Sequence, residues 1–119
     1  MDSFSRSYVD RGGRILIPWL SSGIVANPTA GQILLDSGPL SAGTREAQII
    51  VSANIATFCE FQLRNAANSA TLRSQVIAVP ANHGISIPFP TGLENGENER
   101  FRIVNLVNIT GQVSVSIVA

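Results

Sequence analysis

The chain has 119 residues, a formal net charge of zero and only 13% charged residues. This length fits one domain, and the balanced charge argues against nucleic acid as the main partner, because binding to phosphates needs a basic surplus. No apolar run approaches the length of a membrane span, and the polar N-terminus lacks the apolar stretch of a signal peptide. We therefore expect a protein made in a cytoplasm, with no membrane partner.

The N-terminal segment, residues 1–22, predicts an extended arm ahead of one domain at residues 23–119. Residues 1–14 are rich in Ser and Arg and contain few apolar anchors, which is typical of a segment with little structure of its own. An apolar segment at residues 15–20 follows. Its Pro18 cannot donate to a sheet ladder, so this segment is expected to be an edge strand or an extended piece.

The rest of the chain has the pattern of strands separated by turns. Apolar and polar residues alternate with period two, β-branched residues are frequent, and turn residues recur at short intervals. The predicted strands are residues 32–36, 45–54, 57–64, 71–79, 85–89, 100–107 and 112–118, and predicted loops include residues 21–23, 27–31 and 65–69. This pattern is typical of an all-β sandwich or barrel, and we predict an antiparallel β-sandwich.

One segment, between Asn54 and Gln75, is also compatible with a helix. Cys59, Leu63 and Ala66 or Ala67 have spacings that a helix face would use. The Asn-rich middle and the closely spaced Phe and Leu residues favour a hairpin instead, and a hairpin is our prediction.

Two short loops resemble each other within the chain. Residues 40–43 (LSAG) and 93–96 (LENG) each combine a Leu with a Gly and precede a long predicted strand. A double Greek key, as in a jelly roll, places two strands in comparable positions. The likeness is too short to establish a duplication.

Residues that carry catalysis or bind metals are scarce. His83 is the only histidine and Cys59 the only cysteine, and the chain contains no Lys. A structural zinc site, an intramolecular disulfide and a phosphate loop with Lys are therefore excluded within one chain. His83 has no nucleophile-elbow pattern to serve, so we expect no enzyme activity, no cofactor and no small-molecule substrate.

An acidic loop is formed by Glu94, Glu97 and Glu99. Carboxylates in a loop are ligands that Ca²⁺ prefers, although their spacing matches no EF-hand. Solvated acids beside Arg100 are the favoured interpretation, and a cation site stays open as the alternative.

Two groups of residues have the composition of contact surfaces. Arg and aromatic residues are favoured interface anchors, and every cation of the chain is Arg, which makes planar bidentate contacts. The predicted interface residues are Glu60, Gln62 and Arg64 on one face of a strand, and Arg6, Tyr8, Arg11, Arg14 and Trp19 in the arm. Arg73 and Gln75 are expected to line another strand in the same way. The alternatives are a solvated sheet face, a disordered tail and a compositional bias of the genome.

Three segments resemble small proteins that tailed bacteriophages encode among their head genes. They are residues 30–44 (AGQILLDSGPLSAGT), 63–72 (LRNAANSATL) and 96–103 (GENERFRI). The likeness spans most of residues 28–118 and leaves the arm uncovered. It implies a jelly-roll-like head decoration or cement protein, often a homotrimer, that clamps neighbouring capsid subunits.

The expected partners are accordingly the major capsid protein and further copies of the chain, at the capsid surface of a virion assembled from a host cytoplasm. An alternative is a carbohydrate- or receptor-binding β-sandwich of a phage fibre or surface protein, in which Tyr8, Trp19 or His83 would line the site. A cupin-type enzyme would need a group of metal-binding histidines that this sequence lacks.

Overall fold

The computed structural model describes residues 8–9, 15–16, 20–45, 48–88 and 93–118, and within these ranges the regular secondary structure is β-strand throughout. The strands are β1 Tyr8–Val9, β2 Ile15–Leu16, β3 Leu20–Ala26, β4 Ile33–Asp36, β5 Gly43–Arg45, β6 Gln48–Ala53, β7 Thr57–Arg64, β8 Thr71–Val79, β9 His83–Pro88, β10 Leu93–Asn95, β11 Arg100–Asn105 and β12 Gln112–Val118. The described residues form no helix that could cross a membrane.

Two four-stranded antiparallel sheets form a sandwich. The front sheet has the strand order β4-β11-β7-β8, and the back sheet has the order β3-β12-β6-β9. Strands β1 and β2 pair with each other, as do β5 and β10. The predicted all-β antiparallel sandwich is confirmed.

The chain crosses between the two sheets at almost every step. Among the eight strands of the sandwich, only β7 and β8 follow each other within one sheet, and the six other connections lead from one sheet to the other. Strands that are neighbours within a sheet are therefore mostly far apart in the sequence, which makes most contacts long-range.

The core lies between the inner faces of the sheets and follows the period-two pattern. Cys59, Phe61 and Leu63 of β7 point inward, as do Val113 and the other alternate residues of β12. The rings of Phe61 and Phe101 lie with their centroids 5.3 Å apart and their planes tilted by 45°. Such a pair adds about 0.5–1.5 kcal/mol beyond the burial of its area.

The hairpin predicted between Asn54 and Gln75 is confirmed as β7 and β8. Its turn is stabilised by Asn65, whose Oδ1 accepts hydrogen bonds from the backbone N of Ser69 and of Ala70. Asn68 has a φ of 54°, a left-handed conformation that Asn tolerates better than most residues. These local bonds favour a turn where a helix would have to continue.

A buried polar network attaches the loop between β3 and β4 to the core. Asn105 is fully buried, and its Oδ1 accepts a hydrogen bond from the Thr57 hydroxyl at 2.9 Å. Its Nδ2 donates to the carbonyl oxygens of Thr29 and Val107. The side chain therefore satisfies backbone groups that would otherwise lie unpaired in the interior.

The prediction of a loop at residues 21–23 was wrong, because these residues belong to strand β3. These residues pair with β12, and the irregularity is absorbed by Gly23, with a φ of 66°, and by a register shift between Ser114 and Ser116. The shift keeps the strand paired despite the turn-prone sequence. Because β3 begins at Leu20, residues 20–22 of the predicted arm belong to the back sheet.

Two further boundaries differ from the sequence pattern. Of the predicted strand 45–54, residues 48–53 form β6 and Arg45 is the last residue of β5, and the last residue of the predicted strand 85–89 lies outside the described residues. Strands β5 and β10 were not predicted: β5 begins at Gly43, the last residue of the first of the two similar loop sequences, and β10 lies within the second. Arg45 is buried between them and donates from Nε to Asn95 Oδ1 at 2.8 Å and from Nη2 to the Ser41 carbonyl at 2.9 Å.

Candidate interaction surface

A group of charged and polar side chains occupies the outer face of the front sheet. Antiparallel register sets Arg102 of β11 opposite Asp36 of β4 on one side and opposite Gln62 of β7 on the other. Arg100 lies opposite Arg64, and Glu60 is two residues before Gln62 on the same face. We call Asp36, Glu60, Gln62, Arg64, Arg100 and Arg102 the charged surface.

Gln62 is the centre of the charged surface. Its Oε1 accepts hydrogen bonds from Arg102 Nη2 at 2.8 Å and from Arg102 Nε at 3.1 Å. Its Nε2 donates to Glu60 Oε1. The single amide of Gln62 thus binds the Glu60 carboxylate through its nitrogen and the Arg102 guanidinium through its oxygen, and it orients both.

Arg100 and Asp36 form an ion pair at the β4 side. Arg100 Nη1 lies 3.3 Å from Asp36 Oδ2, and both side chains are partly exposed. Arg100 Nε is buried and makes no hydrogen bond to any described residue. The ion pair therefore orients Arg100 at the β4 side of the charged surface.

Arg64 is held by the β7–β8 hairpin. Its Nε donates to Asn68 Oδ1 at 3.0 Å, its Nη2 to the Asn68 carbonyl at 3.0 Å, and its Nη1 to Thr71 Oγ1 at 2.8 Å. The three bonds leave from three different nitrogens of the planar guanidinium, a spread that the single ammonium nitrogen of Lys does not provide. The side chain is therefore preorganised without a carboxylate partner.

The charged surface has an excess of positive charge. It contains three guanidinium groups and two carboxylates. Burial lowers the pKa of Arg102 from its ordinary value, the nearby charge of Arg64 lowers it further, and the Asp36 carboxylate opposes the shift. Arg remains charged at any physiological pH, so these groups bind anions and carbonyl oxygens and do not transfer protons.

Exposed apolar side chains border the charged surface. Phe58 precedes Glu60 on the outer face of β7 and is 48% exposed, and Val76 lies opposite Glu60 on β8 and is 56% exposed. Aromatic side chains and Arg together are the composition that protein interfaces favour at their centres.

The sequence-predicted interface residues fall into two groups. Glu60, Gln62 and Arg64 lie on one face of β7, as the alternation predicts. Arg73 and Gln75 were predicted to line a second strand, but they are in register with Leu63 and Phe61 and so lie on the opposite side, where they remain exposed.

The arm residues Arg6, Arg11, Arg14 and Trp19 lie outside the described residues. Of Tyr8, the structure gives the position in β1, where it pairs with Leu16. Their contacts with a partner stay a prediction.

Sequence reasoning missed Asp36, Arg100 and Arg102 as members of this surface. Asp36 ends a predicted strand, Arg100 begins another and Arg102 lies within it, and none of the three carries a motif of its own. Only the pairing of β4, β11 and β7 brings them beside Gln62, and the period of a sequence does not reveal which strands pair.

A second feature is an open groove of about 440 Å³ on the outer side of the back sheet. His83 lines it, and its Nδ1 donates to the Ala81 carbonyl at 2.8 Å. The lining contains no Asp, Glu or Arg, and includes Ile24, Ser52, Asn54, Asn82, Gln112 and Ser114. With no carboxylate among these residues, the groove offers hydrogen bonds and no acid–base pair.

The acidic loop makes bonds within the chain. Glu97 Oε2 accepts from the backbone N of Ala42 at 3.3 Å, and Glu99 Oε1 accepts from the backbone N of Gly96 at 2.5 Å. Within the described residues, no group of three or more His, Cys, Asp or Glu side chains is placed to hold a metal ion. These two hydrogen bonds indicate that Glu97 and Glu99 stabilise the loop in which they lie.

No protein-family model matches the chain, and no curated protein matches it significantly.

Proposed function

We propose that the protein is a decoration or cement protein of a virus particle, which binds the assembled capsid shell and stabilises it. The observation that carries this proposal is the charged surface, where hydrogen bonds orient Arg102 on Gln62 and the exposed Phe58 lies further along the same face of β7. The resemblance to small head proteins of tailed bacteriophages supplies the identity of the partner.

The strand order supports the proposal. We infer a jelly roll, because eight strands lie in two four-stranded antiparallel sheets and the chain alternates between the sheets in all but one connection. Jelly rolls occur among viral capsid proteins, as well as in lectins and cupins, so the fold is compatible with the proposal without requiring it.

The chemistry of the charged surface suits a protein partner with carboxylates. Arg64 and Arg102 are preorganised by hydrogen bonds to neutral groups, so they lose little side-chain entropy on binding. Planar guanidinium groups bind carboxylates in pairs of parallel hydrogen bonds. A binding site on the major capsid protein is therefore expected to present Asp or Glu beside an apolar residue that contacts Phe58.

The back sheet has a different character. Its strands β3, β6, β9 and β12 contain no Asp, Glu or Arg, and their outer residues include Ser52, Ser86 and Ser114. A neutral face of small side chains can pack closely against a neighbouring subunit without burying charge. This suits a protein that works within an assembly.

The proposal is tested first by the composition of purified virus particles of the source. A cement protein is expected at a fixed ratio to the major capsid protein, and the particles lacking it are expected to lose integrity at lower temperature. Absence of the chain from purified particles would overturn the proposal.

A second candidate function is carbohydrate binding, and the groove at His83 favours it. Side-chain amides and hydroxyls of Asn54, Gln112 and Ser52 offer the neutral hydrogen bonds that sugar hydroxyls require. A glycan array on the full chain tests this, with His83→Ala as the groove variant and Arg73→Ala as the control outside it. Binding that His83→Ala weakens supports a glycan site, and an array without hits rejects it.

A further inference from the structure

Among the residues that the structure describes, no strand pairs with the outer side of β8, the edge strand of the front sheet. It is nine residues long, and all six residues from Thr71 to Val76 are exposed although they lie within a strand. An edge of this kind presents a row of backbone donors and acceptors that a further strand can pair with.

The other three edges of the sandwich carry features that discourage pairing. Strand β4 has four residues and a register shift against β11, and β3 has a register shift against β12 and contains Gly23. Strand β9 ends in Pro88. Short strands, bulges and Pro are the devices by which proteins block edge-to-edge association.

Strand β8 has few of these protections. It contains no Pro and a single charged residue, Arg73, and its one register shift lies at the Thr71 end. The stretch from Arg73 to Val79 pairs regularly with β7 along its whole length. Among the described strands at an edge of the sandwich, β8 is thus the longest and least protected.

We infer that β8 is a self-association edge, which pairs antiparallel with β8 of a second copy around a two-fold axis. The occupant must itself present an unprotected strand edge, and in this chain β8 meets that condition best. A two-fold contact uses the same strand from both copies, so one edge is sufficient for both partners. The inference is independent of the proposed function.

The side chains are self-complementary when the axis passes through Val76. Val76 then faces its own counterpart, and Ser74 faces Ala78 of the second copy. Arg73 faces Val79 of the second copy, which separates the two guanidinium groups by about 20 Å along the strands. Phe58 lies diagonally to Val76 on the outer face, so the exposed apolar residues of both copies form one continuous stripe.

A disulfide at the axis tests the pairing directly. Residues that face each other across antiparallel strands have Cα atoms about 4.5–5.5 Å apart, within the range that a disulfide bridges. Val76→Cys is therefore expected to form a covalent dimer under mild oxidation, measured on a non-reducing gel. The native Cys59 is buried and gives the background, and Ile24→Cys is the matched control because Ile24 is 74% exposed on β3.

Light scattering across a dilution series provides the second measurement. The wild-type chain is expected to form a dimer that dissociates on dilution. Val76→Lys is expected to raise the dissociation constant of this dimer at least tenfold, because it places like charges face to face. Ile24→Lys is expected to leave the dissociation constant unchanged. The inference is overturned by a wild-type monomer at every concentration, by equal cross-linking of Val76→Cys and Ile24→Cys, or by a trimer in which Val76→Cys forms no cross-link.

Discussion

Arg102 of β11 donates two hydrogen bonds to the single side-chain oxygen of Gln62, which lies opposite it on β7. Because Gln62 also donates to Glu60, this one amide orients both charges at the centre of the charged surface. The arrangement holds the Arg102 guanidinium in place before any partner arrives, and the proposed capsid contact depends on it.

Replacing Arg102 with Ala is expected to weaken binding to assembled shells at least tenfold, because an interface Arg at the centre of a contact is a frequent hot spot. Stability should fall by about 1–2 kcal/mol, because Arg102 is half-buried and its loss leaves Gln62 Oε1 without two hydrogen bonds. Cosedimentation with shells measures the first quantity, and urea unfolding measures the second.

The control for this change is Arg73→Ala. Arg73 has the same charge and is exposed, but it lies on the other side of the front sheet. Equal loss of binding in both variants would mean that net charge, and not the charged surface, controls the interaction. Raising the salt concentration should weaken wild-type binding more than that of Arg102→Ala.

Asn105→Ala is expected to destabilise the fold by about 2–4 kcal/mol, because it leaves the Thr57 hydroxyl and the Thr29 carbonyl without their partner in the interior. The comparison is Asn108→Ala, which removes one exposed hydrogen bond from the backbone N of Ala30 and should cost about 1 kcal/mol or less. Urea unfolding measures both variants, and equal denaturant midpoints for Asn105→Ala and Asn108→Ala would contradict this account of the network.

Gly111 lies at a close approach of two segments. A Cβ added there would come within 2.7 Å of Asn54 Oδ1 and of Ile55 Cγ2, and Asn54 Oδ1 is held in place by a hydrogen bond from the backbone N of Gln112. We expect Gly111→Ala to cost about 1–3 kcal/mol through this crowding.

Gly84 provides the comparison for Gly111. The nearest atom to an added Cβ at Gly84 is Ser52 Cβ at 3.8 Å, an ordinary contact. Gly84→Ala is therefore expected to be neutral or to stabilise by up to about 1 kcal/mol, because Ala restricts the unfolded chain. Thermal melts of both variants check the difference, and a Gly111→Ala variant as stable as the wild type would contradict it.

Burial raises the pKa of the Cys59 thiol from 9.0 to about 11. The folded state therefore favours the neutral thiol, and this contribution to stability is complete below pH 9 and is lost as the pH rises toward 11. The loss amounts to roughly 2–3 kcal/mol, and unfolding experiments at pH 8 and pH 10.5 measure most of it. In Cys59→Ala the same pH change should have a smaller effect, and an unchanged pH dependence would contradict the assignment.

The period-two pattern predicted the core of the sandwich well. Cys59, Phe61 and Leu63 alternate with polar residues because one side of β7 faces the core and the other faces solvent. The Asn-rich turn identified the hairpin, since Asn65 makes the bonds that end β7. Local chemistry was sufficient in both places.

The charged surface was predicted only in part. Glu60, Gln62 and Arg64 share a strand, so their common face follows from the alternation alone. Asp36 and Arg102 join them through the pairing of strands far apart in sequence. The polar residues of β8 look similar in sequence, but Arg73 pairs with Leu63 and therefore lies on the other side of the sheet. Strand order and register decide such cases, and neither is visible in a single strand.

The most direct test of the capsid proposal is a binding titration of the purified protein against empty assembled shells of its source virus and against the unassembled capsid subunits. The proposal predicts saturable binding to the shells at a fixed ratio, much weaker binding to free subunits, and a loss of affinity in Arg102→Ala that Arg73→Ala does not share. No binding to assembled shells, or binding that Arg102→Ala leaves unchanged, would contradict it.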